Sequence, residues 1–211
     1  MSSKCKQQEA VSVSLLVDRQ ALPQFTTLLQ AGIHLNANQG ETIGGLLAAL
    51  PGFEEEYVRQ RVQTIFLNGL PADDLGQQLR GSEAVIAITT AMPGLAGAIF
   101  RKGGAHAALR TTGNKKEAGS TVPGEDIAVR LKLFTLLAKE RGEAILAAGC
   151  CIKAAGFEKF MTYRAPLMAA IKEIKLDDRP VDIGALQDFF KGSHSATPDF
   201  LHLTIKGGHG D

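Results

Sequence analysis

Alternating apolar and polar residues first appear in "VSVSLLV", Val11 to Val17, the pattern of a strand with one buried face. "AGIHLNANQG" follows after a short connection, and together the two segments predict a hairpin. The period then changes. In "ETIGGLLAALPGFEEEYVRQRV" the residues Ile43, Leu46, Leu47 and Leu50 stand at i, i+3, i+4 and i+7, which places them on one helix face. Glu41 and Thr42 suit the first turn of that helix. Pro51-Gly52 interrupts it, and Phe53, Tyr57, Val58 and Val62 resume a second helical stretch. "QTIFLNGLPADDLGQQL" then reads as a strand and a short turn region, and "EAVIAIT", from Glu83, as a closing strand.

Much of this order recurs. Ile65, Leu67, Pro71 and Asp73 fall on Ile174, Leu176, Pro180 and Asp182, all 109 positions later. Further upstream "IAVRLKLF", Ile127 to Phe134, matches the first strand, and Ala31-Gly32 falls on Ala148-Gly149, 117 positions later. The helical counterpart, "FEKFMTYRAPLMAAIKEI", offers Phe160, Leu167, Met168 and Ile171 and is broken at Pro166; its shorter length accounts for the smaller second offset. "DFLHLTI", from Asp199, closes the second half.

Hairpin, helix, strand, turn, strand is the order of a mixed sheet curled around one helix, the cheapest way for about 80 residues to bury an amphipathic helix. The predicted fold class is α+β, with two ubiquitin-like β-grasp units in tandem at residues 9–100 and 125–206. A basic, Gly-rich linker at 101–124 joins them, and residues 207–211 form a flexible tail. One larger α+β domain, in which both halves share a continuous sheet, is the alternative left open.

Composition narrows the function classes. The chain has 211 residues, 45% hydrophobic and 21% charged, with 23 Lys plus Arg against 22 Asp plus Glu. A net charge of +1 gives no global attraction to nucleic acid or an anionic membrane, so neither is an expected partner and any anion site must be local. "MSSKCKQQEA" lacks the apolar core of a signal peptide, and the expected location is the cytoplasm. Cys5, Cys150 and Cys151 do not make a disulfide framework; the adjacent pair reads as strand residues pointing to opposite faces.

Candidate sites are few. Arg101, Lys102 and Arg110, in a segment that also holds His106, Lys115 and Lys116, are candidate anion ligands, with Gly103 and Gly104 letting backbone amides approach a phosphate. No aromatic residue interleaves these charges after Phe100, so a stacking surface for single-stranded nucleic acid is missing there. His194, His202 and His209 match no metal template, and neighbouring Ser193 and His194 are not a catalytic dyad. No metal, cofactor or catalytic residue is nominated. "TAMPGLAGAIFRKGG" carries Met92, Pro93, Gly94, Leu95, Ile99 and Phe100 as a candidate interaction arm; its glycines, each costing about 1 kcal/mol in a helix interior, predict an extended or irregular segment packed over one of the domains.

"ETIGGLLAALPG", "IFLNGLPADD" and "LRGSEAVIAITTAMPGLAGA" together give the first half a resemblance to the ubiquitin-like sulfur carriers, over roughly Val11 to Ala98. The second half resembles that family in its order of elements and its terminal "TIKGGHGD", but has Asp177-Asp178 where the family has Asn-Gly. The resemblance implies a partner of the E1-like adenylating or cofactor-synthesis kind, and a chemistry in which a C-terminal glycine carboxylate is adenylated and converted to a thiocarboxylate. Here Gly207-Gly208 is followed by His209, Gly210 and Asp211. The leading expectation is therefore a noncatalytic β-grasp protein-interaction module. The alternative is a sulfur-carrier precursor, activated at Gly208 after removal of the last three residues, and an unrecognised enzyme or ligand-binding protein is the third reading.

Overall fold

The computed structural model describes residues 10–90, 92–110, 126–191 and 198–208. Strand β1, Val11–Asp18, buries Val13, Leu15 and Val17 at alternate positions, as its pattern requires. Its partner is not β2, Ile33–Ala37. β1 instead runs parallel to β10, Phe200–Gly208, and antiparallel to β8, Ile171–Leu176. The expected hairpin fails because the connection is helical: Leu22, Phe25, Leu28 and Leu29 recur at helical spacing and are buried through α1, Leu22–Phe25, and α2, Leu28–Ala31. Gly32, at φ 110°, then turns the chain into β2. In the second half α6, Thr135–Ala148, likewise separates β6, Ile127–Leu133, from β7, Cys150–Lys153, and Gly149 at φ 90° makes the same turn.

The remaining elements keep their expected order. Thr42 caps α3, Ile43–Ala48, by accepting a 3.0 Å hydrogen bond from the Gly45 amide, and after Pro51-Gly52 the chain re-enters a helix as α4, Glu55–Arg61. Strands β3, Thr64–Leu67, β4, Leu70–Pro71, and β5, Glu83–Thr89, are followed by α5, Gly94–Phe100. Downstream lie α7, Ala154–Tyr163, α8, Ala165–Met168, β9, Arg179–Val181, and α9, Ile183–Lys191.

All ten strands among the described residues join one mixed sheet, in the order β4-β3-β5-β6-β2-β7-β10-β1-β8-β9, so the fold is α+β. The halves interleave. β1 lies between β10 and β8, and β6 lies between β5 and β2. The boundaries expected at 9–100 and 125–206 therefore do not separate two sheets; the continuous sheet is formed because β1 and β6 each bury their apolar face among strands from the other half. Gly207 and Gly208 also depart from the flexible tail: they end β10, opposite Val17 and Asp18.

The repeat is physical. Ile65 lies opposite Ile88 and Ile174 opposite Leu15, while Phe66 pairs with Pro71 and Lys175 with Pro180. Each Pro-containing strand follows a turn with positive φ at both central residues, Asn68 and Gly69 in one half, Asp177 and Asp178 in the other. The Asn68 side chain accepts from the Val85 amide at 2.8 Å while its own N–H donates to the Val85 carbonyl. Asp177 makes the same two bonds to Ser12, at 2.8 and 2.9 Å. β1 thus occupies in one half the place that β5 occupies in the other.

Helices α1 to α4 and α6 to α9 bury their apolar residues in one cluster with the inward-facing strand residues, including fully buried Phe25, Phe53 and Phe157. α6 meets α1 and α2 closely at Gly142, where an added Cβ would stand 2.8 Å from Thr26 Cβ. A polar brace ties α4 to α6: Tyr57 donates to Glu140 at 2.7 Å, Arg61 ion-pairs with the same carboxylate, and the Arg141 guanidinium lies 4.1 Å from the Tyr57 ring centre. Burial, and then the bond to Glu140, push the Tyr57 hydroxyl up to about 12, while the Arg61 hydrogen bond lowers the Glu140 carboxyl. No helix among the described residues is long and apolar enough to cross a membrane.

Candidate functional site

Strand alternation assigns the second face of the sheet. β6 sends Ile127, Val129, Leu131 and Leu133 into the core, so Ala128, Arg130 and Lys132 face the other way. By register they are joined there by His34 and Asn36 of β2, Cys151 and Lys153 of β7, and Phe200, His202, Thr204 and Lys206 of β10. Among the described residues, the helical cover on this face is α5, which packs at β3. Among the described residues no element covers the face from β5 to β8, and its outward side chains are half-buried or exposed, apart from buried Thr89 at the end of β5 and buried Cys151, which is disulfide-bonded.

One cross-strand row runs Val85, Arg130, His34, Cys151, His202, Ser12. Beside it lie Ala87 with Lys132, and Lys153 with Phe200. Arg130 is held in place by two hydrogen bonds to the Ala31 carbonyl, 3.0 Å from Nε and 2.6 Å from Nη2, over the space that a side chain at Gly32 would fill. His34 meets Phe200 edge to face, with ring centres 4.8 Å apart. Burial, reinforced by Arg130 and Lys153, pulls the His34 imidazole down to about 4, so it is neutral at neutral pH. At Gly149 a Cβ would come within 2.6 Å of His202 Cε1, so glycine lets β7 approach that ring.

The arm takes a different form from the one expected. Gly94 to Phe100 is helical despite its glycines, because tertiary contacts outweigh their propensity cost. Phe100 packs on Phe66 with centres 5.4 Å apart, and Gly97 is buried where a side chain would overlap the Met92 carbonyl. Met92, Ile99 and Phe100 are half-buried over β3, while Pro93 and Gly94 are exposed and Leu95 remains 70% exposed.

Arg101, Lys102 and Arg110 come together beside this helix, but protein groups occupy them. Arg110 ion-pairs with Asp73 and donates to the carbonyls of Ile99, at 2.8 Å, and Arg101, at 2.7 Å. Arg101 donates to the Gln63 side chain at 3.1 Å, and burial lowers the Lys102 ammonium against the opposing pull of Asp73. Of the expected linker, residues 101–110 are thus organised by the arm, with a 3₁₀ turn at Ala107–Leu109, and 111–124 lie outside the described residues.

Cys150 points into the core, where burial pushes its thiol up to about 12, and Cys151 points to the opposite face between His34 and His202. His194, Ser193 and His209 lie outside the described residues. Among the described residues, no group of three His, Cys, Asp or Glu side chains is placed to hold a metal. A separate hollow of about 300 Å³ between α7, α8 and α9 has an apolar floor of Met161, Met168, Leu186 and Phe190, with Glu158 and Lys191 at its rim.

Sequence reasoning passed over Arg130, Lys132, Lys153, His34 and Phe200. The signal available was their alternation with core residues, and only the strand order brings them together. No protein family, no curated protein and no solved structure matches this chain.

Proposed function

We propose that the protein is a noncatalytic binding module of two interleaved β-grasp-like units, which takes a partner protein on the open face of its sheet. The observation that carries this reading is the sheet face from β5 to β8, which no described element covers, while the opposite face packs on the helices in the core. Strand addition is the weaker route, because the edge strands are only two and three residues long and carry Pro71 and Pro180, which have no amide to donate. Among the described residues, the groups with displaced proton affinities do not converge on a reaction centre: Tyr57, Arg61 and Glu140 brace two helices, Lys102 lies beside α5, Cys150 is in the core and His34 is on the open face.

A photo-crosslinking residue at Ser14 or Ala128, both on the open face, should capture one partner of defined mass, and one at exposed Lys139 of α6 should not. Equal capture from Lys139, or none from the face, would sink the module reading. The sulfur-carrier alternative requires Gly208 to be a free chain end that leaves its place opposite Asp18. Pyrophosphate released from ATP by a chain ending at Gly208, in the presence of an E1-like activating enzyme, would favour that alternative.

A further inference from the structure

We propose that the segment docking on this face is an acidic, extended polypeptide, its carboxylates held by Arg130, Lys132 and Lys153 and an apolar side chain set against Phe200. This rests on the open face being the binding surface. The strip formed by β6, β2, β7 and β10 presents four cations, Arg130, Lys132, Lys153 and Lys206, and no acidic residue at its outward positions. Seven cations elsewhere in the fold, Arg19, Arg59, Arg61, Arg110, Arg141, Lys172 and Lys191, each meet a carboxylate. None of the four strip cations does so among the described residues. Acids in register lie at the margins: Glu83 at the start of β5, Asp18 at the end of β1, where it pairs with Lys172, and Glu173 beyond β1.

Two further features suit an anion. The Arg130 guanidinium is anchored through Nε and Nη2, which leaves Nη1 directed by that anchoring and costs little ordering when a carboxylate arrives. His34 adds no charge of its own and, with Phe200, supplies an apolar patch amid the cations. A single-stranded nucleic acid fits less well. The aromatic surface is one pair of rings inclined at 65°, whereas nucleotide binding along a strand uses successive stacking platforms, and a net charge of +1 adds no long-range attraction.

The full-length protein tests this with three fluorescent probes of about ten units, the length of strand that spans a sheet of this kind: a peptide alternating Glu with Leu and Phe, the same peptide with Gln for Glu, and oligo-dT. The acidic peptide should bind at low salt, more weakly as salt rises, and its Gln counterpart about tenfold less tightly. Arg130→Gln, Lys132→Gln and Lys153→Gln combined should weaken the acidic peptide about tenfold, whereas Lys139→Gln should leave it unchanged. Urea midpoints matching the parent establish that the variants fold. In NMR titrations the His34 midpoint should rise when the acidic peptide is bound. No binding of the acidic peptide, equal binding of both peptides, an unaffected triple variant, or tighter binding of oligo-dT would each overturn the proposal. Crosslinking from Ser14 and Ala128 that survives in the triple variant would reject an acidic partner while leaving the open face as the binding surface; absent crosslinking in the parent would remove the module reading itself.

Discussion

Removing the first strand tests the interleaved sheet most directly. A chain that starts at Gln20 lacks β1 and with it Val13, Leu15 and Val17, which are 0%, 3% and 0% exposed. Burial of such side chains stabilises by about 1.5–3 kcal/mol each, so the deletion forfeits roughly 4.5–9 kcal/mol before the lost ladders to β8 and β10 are counted. That is comparable to the whole stability of a typical domain, about 5–15 kcal/mol. The deleted chain should therefore show no cooperative urea transition by circular dichroism at 222 nm, and a synthetic peptide of residues 10–19, added in excess, should restore one. Fragments 1–112 and 120–211 should likewise be unfolded separately and regain structure when mixed, because each lacks a central strand of the sheet. A chain from Gln20 that unfolds cooperatively near the full-length midpoint would refute the strand order.

Three further outcomes follow from single sites. His34 titrates near 6.5 when unfolded and about 4 when folded, so stability is complete above 6.5 and falls as pH drops toward 4; with the half-buried ring screened by solvent the loss is about 1 kcal/mol, and His34→Gln should remove that part of the difference between urea midpoints at pH 7.5 and 4.5. Asn68→Ala and Asp177→Ala should each cost about 1–2 kcal/mol by equilibrium unfolding, since each loses an acceptor and puts alanine at positive φ; a large effect at one turn alone would count against their equivalence. Gly142→Ala should destabilise by about 1–3 kcal/mol in thermal melts despite the better helix former, because the methyl would press on Thr26 and Leu29, and a raised melting temperature would show that α6 has room to shift.

The internal repeat was legible because its landmarks are local. Ile65 and Ile174, Pro71 and Pro180, and the turns before them depend on hydrophobic alternation and turn chemistry within a few residues, and the register places them in matching positions. Which strand fills which place in the sheet was not legible. β1 and β5 show the same inward alternation whether their parallel neighbour is near or far in sequence, and the pairing of Val11 with Leu201 leaves no local mark. The α1–α2 segment was missed because Pro23 and the break at Thr26-Thr27 divide it into two four-residue helices. The open face escaped notice for the same reason as the strand order: Arg130 and Lys153 are neighbours of His34 only once β7 lies beside β2.

The placement of β1 sets a timetable for synthesis. Val11 leaves the ribosome early, yet its parallel partner Leu201 is made 190 residues later. At about 5–20 residues per second the strand waits roughly 10–40 s for the neighbours that cover its backbone. During that interval "VSVSLLV" is an unpaired apolar strand on a growing chain, open to pairing with another copy of itself. Slowing translation after β9 should lengthen this exposure and raise the aggregated fraction, whereas fusing residues 10–19 behind β10 through a flexible linker would let the strand arrive together with its partners.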